Sequence, residues 1–334
     1  MILDGTLPES IAQAAQALRS GALVGLPTET VYGLAANASD DAAVAAIFAA
    51  KGRPSDHPLI VHVAHAQALP HFASDVPAFA QALVNAYWPG PLTVILPRRA
   101  GVAQAATGGQ NSIGLRCPAH PVAQALLAAC AADHPTTPPV WGLAAPSANR
   151  FGRLSPTTAA HVQAELGSDL LVLDGGPCAV GIESTIVDCT RGMPVLLRPG
   201  AITAAQITAT CGMPVRYPED MDSATPRASG TLEAHYAPAA KVRLMTGKDI
   251  QTGLNLMGSD AANMAVYART PMRSASSRVL IRRMPDDAAA AAQQLFAVLR
   301  DMDTQGVRLI WVEAPPDTPD WDGVRDRLQR AAAA

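Results

Sequence analysis

The sequence predicts an α/β protein: a twisted mixed sheet with flanking helices, followed by a second, smaller α/β domain of Rossmann-like type. Short apolar and β-branched runs alternate with alanine-rich helical stretches over residues 1–212. Some neighbouring β-rich runs have no helix between them, so the large sheet is expected to mix parallel and antiparallel strands. The composition turns rich in Pro, Ser, Asp and Gly over residues 213–241, and α/β alternation resumes over residues 242–334.

These composition changes predict the domain organisation. We expect a large domain over residues 1–212, a linker over residues 213–241 and a smaller carboxy-terminal domain over residues 242–334. A length of 334 residues agrees with about two domains at roughly 150 residues each. The polar linker is long enough to reach back over the large domain, so a regulatory or lid-holding role is our hypothesis for the smaller domain.

Charge and cysteine content exclude several function classes. The 25 Lys and Arg residues against 28 Asp and Glu residues give a net charge of −3, so any RNA contact is expected to be local and weak. No apolar run approaches the ~18 residues of a membrane span. The amino terminus MILDGTLPES is acidic, unlike a secretory signal, and we expect a cytoplasmic protein. The 5 cysteines form no CxxC pair, so we predict neither a disulfide framework nor a structural metal.

The first elements follow from spacing and capping signals. Residues 8–19 predict a helix because Ile11 and Leu18 share one face. ALVGL then predicts a buried strand. SDDAAVAAIFAAKG predicts a helix with Ser39 as its N-cap, acidic residues in its first turn and Lys51 at its close, which suits the helix dipole.

Later elements are predicted by short β-rich runs and alanine-rich stretches. The predicted strands of the large domain are HPLIVHV, PLTVILP, SIGLRC, VWGLAAPS, LLVLDGG, STIVDC and PVLLRPG, and PVAQALLAACA and TTAAHVQAELG are predicted helices. In the smaller domain VRLM, AVYAR, VLIRRMP and VRLIWVEA predict strands, and DDAAAAAQQLFAVLRDMD and WDGVRDRLQRA predict helices.

A hydroxyl-rich bend follows the first buried strand. PTETVYGL displays Thr28, Glu29, Thr30 and Tyr32 together before Gly33. Taken alone, this segment is either an ordinary polar turn or part of a binding site.

Two cations leave the end of the second predicted helix. Lys51 and Arg53 stand two residues apart in the Gly/Pro-shaped turn KGRP, where both could reach one polyanion. The alternative is a solvated surface pair. The other lysines are Lys241 and Lys248, so a lone ammonium among arginines favours a specific role for Lys51.

Two strands carry polar side chains that need explanation. In HPLIVHV, alternation puts Ile60 and His62 on one side, and a packed core histidine is the alternative to a binding residue. In NSIGLRCP, Ser112 and Arg116 share one face. An interior arginine needs an anion, which is either a substrate or a structural salt-bridge partner.

The remaining candidates lie at loop ends. APSANRFGRLSPT places the polar side chains of Ser147, Asn149 and Ser155 near Gly152, where they could cradle phosphate or ribose. Glu183, Ser184 and Arg198 stand at a strand entrance and a strand exit. The sequence lacks a P-loop, a GxGxxG fingerprint, a GxSxG elbow and HExxH.

Taken in order, these segments resemble a known family. PTETVYGL, KGRPSDHPLIVHV, WPGPLTVIL, SIGLRCP, APSAN, SPT, GIESTIVD and LRPG are similar to the motifs of the YrdC-like threonylcarbamoyl-adenylate synthases, over about residues 10–210. GTLEAHYAP and the terminal DRLQRA resemble the longer, two-domain members. The resemblance implies a YrdC-like catalytic domain over residues 1–212.

The resemblance also implies a reaction. Such an enzyme joins L-threonine, bicarbonate and ATP into threonylcarbamoyl-AMP and releases pyrophosphate. Separate proteins, a tRNA threonylcarbamoyl transferase complex, then pass the threonylcarbamoyl group to the adenosine beside the anticodon. Mg²⁺ is expected to arrive with ATP, because few carboxylates are available for a dedicated protein site.

Functional residues are carried over from the motifs that match. ATP would be bound by Lys51, Arg53, His57, Ser112, Ser147, Asn149, Ser155, Arg198 and, from the linker, Tyr236. L-Threonine would be bound by Thr30, His62, Arg116, Ala145 and Ser184. Lys51 and Arg53 are the expected catalytic pair, and Glu183 is a speculative helper.

Two other functions remain open from the sequence. A concave, basic-lined sheet could bind double-stranded RNA, although the net charge of −3 argues against it. A carbamoyl transferase of the hydrogenase-maturation kind has a related domain, but it also has cysteine-rich zinc fingers that this sequence lacks.

Overall fold

The chain divides into two compact units in the computed structural model, which describes residues 1–222, 224–232 and 234–334. The larger unit contains Met1–Phe151 and Ser155–Thr231, and the smaller unit contains Gly152–Leu154 and Leu232–Ala334. The segment predicted as a linker, residues 213–241, is thus shared between the two units.

One mixed sheet organises the larger unit. Its strands are β1 (Ile2–Asp4), β2 (Val24–Leu26), β3 (Gly33–Asn37), β4 (Ile60–His62), β5 (Leu92–Pro97), β6 (Ser112–Arg116), β7 (Leu143–Ala144), β8 (Leu171–Asp174), β9 (Thr185–Asp188) and β10 (Val195–Arg198). The order across the sheet is β1-β8-β2-β3-β7-β4-β6-β5-β9-β10. The sheet contains parallel pairs, such as β4 with β6, and antiparallel pairs, such as β5 with β6, which confirms the predicted mixed sheet.

Helices flank this sheet. They are α1 (Pro8–Arg19), α2 (Asp41–Lys51), α3 (Leu69–Phe72), α4 (Ala78–Tyr87), α5 (Pro121–Ala131), α6 (Ala159–Leu166) and α7 (Ala204–Cys211). Leu18 of α1 and Leu126 of α5 are buried in one core with Val24 of β2. Ile47 of α2 and Leu83 of α4 belong to a second, larger core. The sheet therefore packs against two apolar cores, which hold the strands that carry the polar side chains in place.

The predicted strands from HPLIVHV to PVLLRPG are confirmed as β4 to β10, and the helices predicted in this unit are confirmed as α1, α2, α5 and α6. Strand β3 was not predicted, because its sequence GLAAN has low intrinsic strand propensity. Pairing with β2 on one side and β7 on the other stabilises it as a strand.

The predicted N-cap of α2 is wrong by one residue. Asp40, not Ser39, caps the helix, and its carboxylate accepts hydrogen bonds from the backbone N–H groups of Ala42 and Ala43. At the other end Gly52 adopts the left-handed conformation with φ of 61°, which ends the helix directly after Lys51. Both termini of α2 are therefore fixed by local contacts.

The smaller unit contains a parallel sheet of order β11-β14-β12-β13. Its strands are β11 (Lys241–Met245), β12 (Met264–Ala268), β13 (Val279–Arg283) and β14 (Leu309–Glu313), and its helices are α8 (Gly247–Met257), α9 (Ala288–Thr304) and α10 (Asp322–Ala332). The predicted strands and the two predicted helices of this unit are confirmed. Helix α8, which contains Gly247 and Gly253, was not predicted because glycine is a poor helix former.

Among the described residues, no helix combines the length and the apolar character that crossing a bilayer would require.

Replacing the α2 cap should lower stability. Asp40→Ala removes the acceptor for two backbone N–H groups, so the free energy of unfolding should fall by about 1 kcal/mol in urea denaturation. Asp40→Asn keeps an acceptor oxygen and should lose much less. The matched control is Asp41→Ala, which removes a first-turn charge but no capping bond; equal losses for Asp40→Ala and Asp41→Ala would contradict the assignment.

Candidate active site

The ends of the central strands bring predicted substrate residues together in the larger unit. Strands β4 and β6 run in parallel, and His62 lies opposite Arg116 at their carboxyl ends. Strand β9, which pairs with β5, begins directly after Ser184. The carboxyl ends of strands are the usual place for a ligand in an open α/β sheet.

Arg116 is held by three partners. Its Nη1 donates to Thr30 Oγ1 at 2.8 Å, its Nη2 donates to Glu29 Oε1 at 2.6 Å, and its Nε donates to the Gly90 carbonyl at 3.3 Å. Only 4% of Arg116 is exposed. The predicted hydroxyl bend and the predicted arginine therefore meet, and the salt bridge that the sequence left as an alternative is present with Glu29.

His62 is a buried, neutral imidazole beside this arginine. Burial, and then the positive charge of Arg116, lowers the pKa of His62 to about 3. Its Nδ1 is buried and has no hydrogen-bond partner within the described part of the chain. A buried ring nitrogen of this kind is readily satisfied by a polar ligand, so the core position and the predicted binding role are compatible.

Ser184 connects the two predicted halves of the site. Its hydroxyl lies 2.8 Å from Thr93 Oγ1. Arg198, at the end of β10, donates from Nη2 to the Ser184 hydroxyl at 3.1 Å and from Nε to the Ser184 carbonyl at 3.0 Å. A residue predicted for threonine thus contacts a residue predicted for ATP.

The ammonium of Lys51 is almost fully buried. Its Nζ donates to the Ser147 carbonyl at 2.6 Å and also to the Asn149 carbonyl. Burial, and then the positive charge of Arg53, lowers the pKa of Lys51 to about 7. This geometry brings the predicted KGRP and APSAN segments together, and it shows that the surface-pair interpretation of Lys51 and Arg53 is wrong.

Arg53 also faces inward. Its Nη2 donates to the Pro58 carbonyl at 3.0 Å and to Ser229 Oγ at 3.2 Å, and its guanidinium carbon lies 5.8 Å from the ring centroid of Phe151. Arg198 Nη1 donates to the Ser229 carbonyl at 2.8 Å. One serine of the predicted linker therefore contacts two of the predicted phosphate-binding arginines.

A buried carboxylate lies near the same cations. The hydroxyl of Ser155 donates to Glu183 Oε1, and both residues are buried. The negative charges of Glu165 and Glu183 act to raise the pKa of Lys51, against the effects of burial and Arg53. Glu183 thus lies close enough to influence the predicted catalytic lysine.

Three predicted residues have less distinctive surroundings. His57 is half-buried, with its ring 5.6 Å from that of Phe151, and burial followed by the charge of Arg53 lowers its pKa. Ser112 begins β6, four residues before Arg116 and so roughly 13 Å from it along the strand. The backbone N–H of Ala145 donates to the Ile60 carbonyl at 3.0 Å.

Tyr236 lies in the smaller unit. It is 1% exposed, its ring lies 5.5 Å from that of Phe296, and the Arg327 guanidinium carbon lies 5.4 Å from its ring centroid. Its φ of 60° is in the left-handed region. The predicted role of Tyr236 over the nucleotide stays a prediction, as does the lid-holding hypothesis.

Several residues of this network were not predicted as site residues. The sequence places Glu29 in the hydroxyl-rich bend but assigns it no role, although an interior arginine requires an anionic partner and could have pointed to it. Thr93 lies in the motif WPGPLTVIL and Phe151 in APSANRFGRLSPT, but nothing in either segment distinguishes these two residues from their neighbours. Ser229 lies in a segment without sustained periodicity, so its contacts depend on tertiary structure.

Among the described residues, no cluster of three or more His, Cys, Asp or Glu side chains is arranged to hold a metal ion.

Two family models match nearly the whole chain. Residues 16–200 match the Sua5/YciO/YrdC model described as telomere recombination, and residues 202–333 match the model described as threonylcarbamoyl-AMP synthase, C-terminal domain. The chain belongs to the Sua5/YrdC family. Within this family it has the two-domain form, as predicted.

Similar Sua5/YrdC proteins cover almost the full length. A threonylcarbamoyl-AMP synthase of Pyrococcus abyssi is 36% identical over 330 residues, which cover 96% of this chain and 93% of that protein. A threonylcarbamoyl-AMP synthase of Bacillus subtilis is 36% identical over 337 residues, covering 96% and 92%. The crystal structure of P. abyssi Sua5 complexed with L-threonine matches with a TM-score of 0.85 at 35% identity, covering 96% of this chain and 94% of that one.

The depressed pKa of Lys51 predicts a pH dependence of stability in this Sua5/YrdC protein. An unfolded lysine keeps its proton up to a pKa of about 10.4, whereas folded Lys51 loses it near pH 7. Between these values the unfolded state binds more protons, so the free energy of unfolding should rise with pH. Lys51→Met should remove this rise. In chemical denaturation, the free energy of unfolding of wild type relative to that of the variant should therefore increase from pH 6 to pH 9.

The control for this experiment is Lys248→Met, at an exposed lysine. Its stability difference from wild type should stay nearly constant over the same pH range. A constant difference for Lys51→Met as well would contradict the depressed pKa.

Proposed function

We propose that this protein is a threonylcarbamoyl-AMP synthase that joins L-threonine, bicarbonate and ATP and releases pyrophosphate. The observation that carries the proposal is the hydrogen bond from Arg198 to the Ser184 hydroxyl, because it joins a residue assigned to ATP to a residue assigned to L-threonine. Two anionic substrates would therefore be held side by side. In the enzyme classification the reaction is a nucleotidyl transfer.

The environment of Arg116 suits an amino acid carboxylate. An arginine has five N–H donors, and three are used by Thr30, Glu29 and Gly90. Among the described residues, one N–H donor on Nη1 and one on Nη2 therefore have no protein partner. A carboxylate that accepts both would form a bidentate, charge-assisted pair.

The environment of Lys51 suits a polyphosphate. Its ammonium is bonded to two backbone carbonyls, and no carboxylate of the described residues lies within ion-pair distance of it. A buried charge without an ion-pair partner is costly, and a triphosphate would supply the missing negative charge. Arg53 and Arg198, both buried, add further positive charge to the same region.

The chemistry requires positioning more than a covalent nucleophile. The threonine amine must lose its proton to take up carbon dioxide derived from bicarbonate, and the carbamate that forms is unstable in water. A buried site protects it. The carbamate oxygen then attacks the α-phosphorus of ATP in line, while Lys51, Arg53 and Arg198 offset the charge of the departing pyrophosphate.

Mg²⁺ is proposed to enter with ATP. The cationic side chains, with Glu165 and Glu183 as the acidic residues that influence Lys51, fit an ion that is held mainly by phosphate oxygens and water. When bound, Mg²⁺ would neutralise part of the charge on the pyrophosphate group.

The product is proposed to serve tRNA modification. A downstream threonylcarbamoyl transferase complex would transfer the threonylcarbamoyl group to adenosine next to the anticodon. The proposed location is the cytoplasm, where ATP, bicarbonate and tRNA are available together.

An amino acid survey tests the proposed function. Purified protein with ATP, Mg²⁺ and bicarbonate should release pyrophosphate roughly tenfold faster with L-threonine than with serine or valine, because each analogue lacks one group that a fitted pocket recognises. The measurement is initial pyrophosphate release with each common amino acid. Equal rates of pyrophosphate release with all amino acids, or a rate that is the same with and without bicarbonate, would refute the proposal.

Replacing Arg116 should weaken threonine binding. The variant Arg116→Lys keeps the positive charge but loses the planar guanidinium with its paired donors. The KM for threonine should therefore rise about 10- to 100-fold, as expected when a charge-assisted hydrogen bond worth ~1.5–3 kcal/mol is lost. The KM for ATP should change much less. Steady-state kinetics with each substrate varied gives both values, and an unchanged threonine KM would rule out the assigned contact.

A further inference from the structure

We propose that Glu29 is a positioning residue that fixes and neutralises Arg116, so that the arginine selects a single carboxylate and not a polyphosphate. This inference rests on the proposed function, because it assumes that Arg116 receives the threonine carboxylate. It assigns a role to an acidic residue that the site chemistry had left without one.

Glu29 is itself firmly held. Its Oε1 accepts from Arg116 Nη2 at 2.6 Å, and its Oε2 accepts from the backbone N–H of Ala119 at 3.0 Å. Its backbone carbonyl accepts from the Val180 N–H at 2.7 Å. Side chain and main chain are both anchored, and the Glu29 side chain is only 11% exposed. The carboxylate therefore acts as a rigid reference point for the guanidinium.

The opposite side of the guanidinium is held in a similar way. Thr30 Oγ1 accepts from Arg116 Nη1 and lies 2.9 Å from Thr28 Oγ1, which donates to the Val31 carbonyl at 2.6 Å. With the Gly90 carbonyl on Nε, each of the three nitrogens has a fixed partner. The plane and the rotation of the arginine are thus set before a substrate arrives, which reduces the entropy lost on binding.

Charge distinguishes Arg116 from the neighbouring cations. Together with Glu29 it has a net charge of zero, whereas Lys51 has no ion pair within the described residues and lies near Arg53. A triphosphate is attracted mainly by net positive charge, so it should prefer the Lys51 region. A carboxylate needs only two well-oriented donors, and these remain on Arg116. Glu29 would thereby direct the two anionic substrates to different cations.

The test compares Glu29→Gln with Glu9→Gln, the same chemical change at an exposed position of α1. In the full chain, threonine KM and the mode of inhibition by inorganic tripolyphosphate are measured. With wild type and Glu9→Gln, tripolyphosphate should compete with ATP and not with threonine. With Glu29→Gln, threonine KM should rise about tenfold, and tripolyphosphate should also compete with threonine because Arg116 then has a net positive charge.

Glu29→Asp separates geometry from charge. The shorter side chain keeps the charge but cannot reach both Arg116 and Ala119, so threonine KM should rise without competition by tripolyphosphate. This variant also keeps the proposal testable if Glu29→Gln does not fold, which thermal unfolding will reveal.

Three results would overturn the proposal. The first is a threonine KM in Glu29→Gln equal to that in Glu9→Gln. The second is a threonine KM that rises in Glu29→Gln while tripolyphosphate still does not compete with threonine. The third is competition between tripolyphosphate and threonine in Glu29→Asp as well. The proposed function is tested separately. If wild type shows no threonine-dependent pyrophosphate release, the function itself fails; if it does and Glu29→Gln behaves as Glu9→Gln, only the role of Glu29 fails.

Discussion

Burial of positive charge is the constraint on which the larger unit depends. Lys51, Arg53, Arg116 and Arg198 are at most 9% exposed, and moving such charges out of water is costly. The fold meets the cost with backbone carbonyls at strand and helix ends, with hydroxyl groups and, at Arg116, with Glu29. Lys51 has two backbone carbonyl partners, and its burial, followed by the positive charge of Arg53, lowers its pKa to about 7.

The sheet explains how distant segments supply this network. Parallel pairing of β4 with β6 aligns His62 with Arg116, and parallel pairing of β5 with β9 brings Thr93 towards Ser184. These contacts join residues that are far apart in the chain, and the buried apolar cores fix them. Membership of the Sua5/YrdC family supports our proposal that this network binds two anionic substrates.

The sequence predicts those strands, helices and site residues that depend on local patterns and motifs. Strands such as PLTVILP have strong alternation or β-branched content, and the eight ordered motifs identified the family and its candidate residues. The sequence does not predict β3, because its alanine-rich segment forms a strand only by pairing with β2 and β7. It also misplaces the N-cap of α2, because Ser39 and Asp40 are adjacent and both side chains can accept the capping hydrogen bonds. Nor could it pair Arg116 with Glu29 or place Ser229, because those contacts depend on tertiary structure.

A crystal structure of the protein with L-threonine and a non-hydrolysable ATP analogue would locate both substrates. We expect the threonine carboxylate within about 3 Å of the Arg116 terminal nitrogens and the triphosphate on Lys51, Arg53 and Arg198, with the amine facing the α-phosphate. Ligands bound on separate surfaces, or a triphosphate on Arg116, would contradict this expectation.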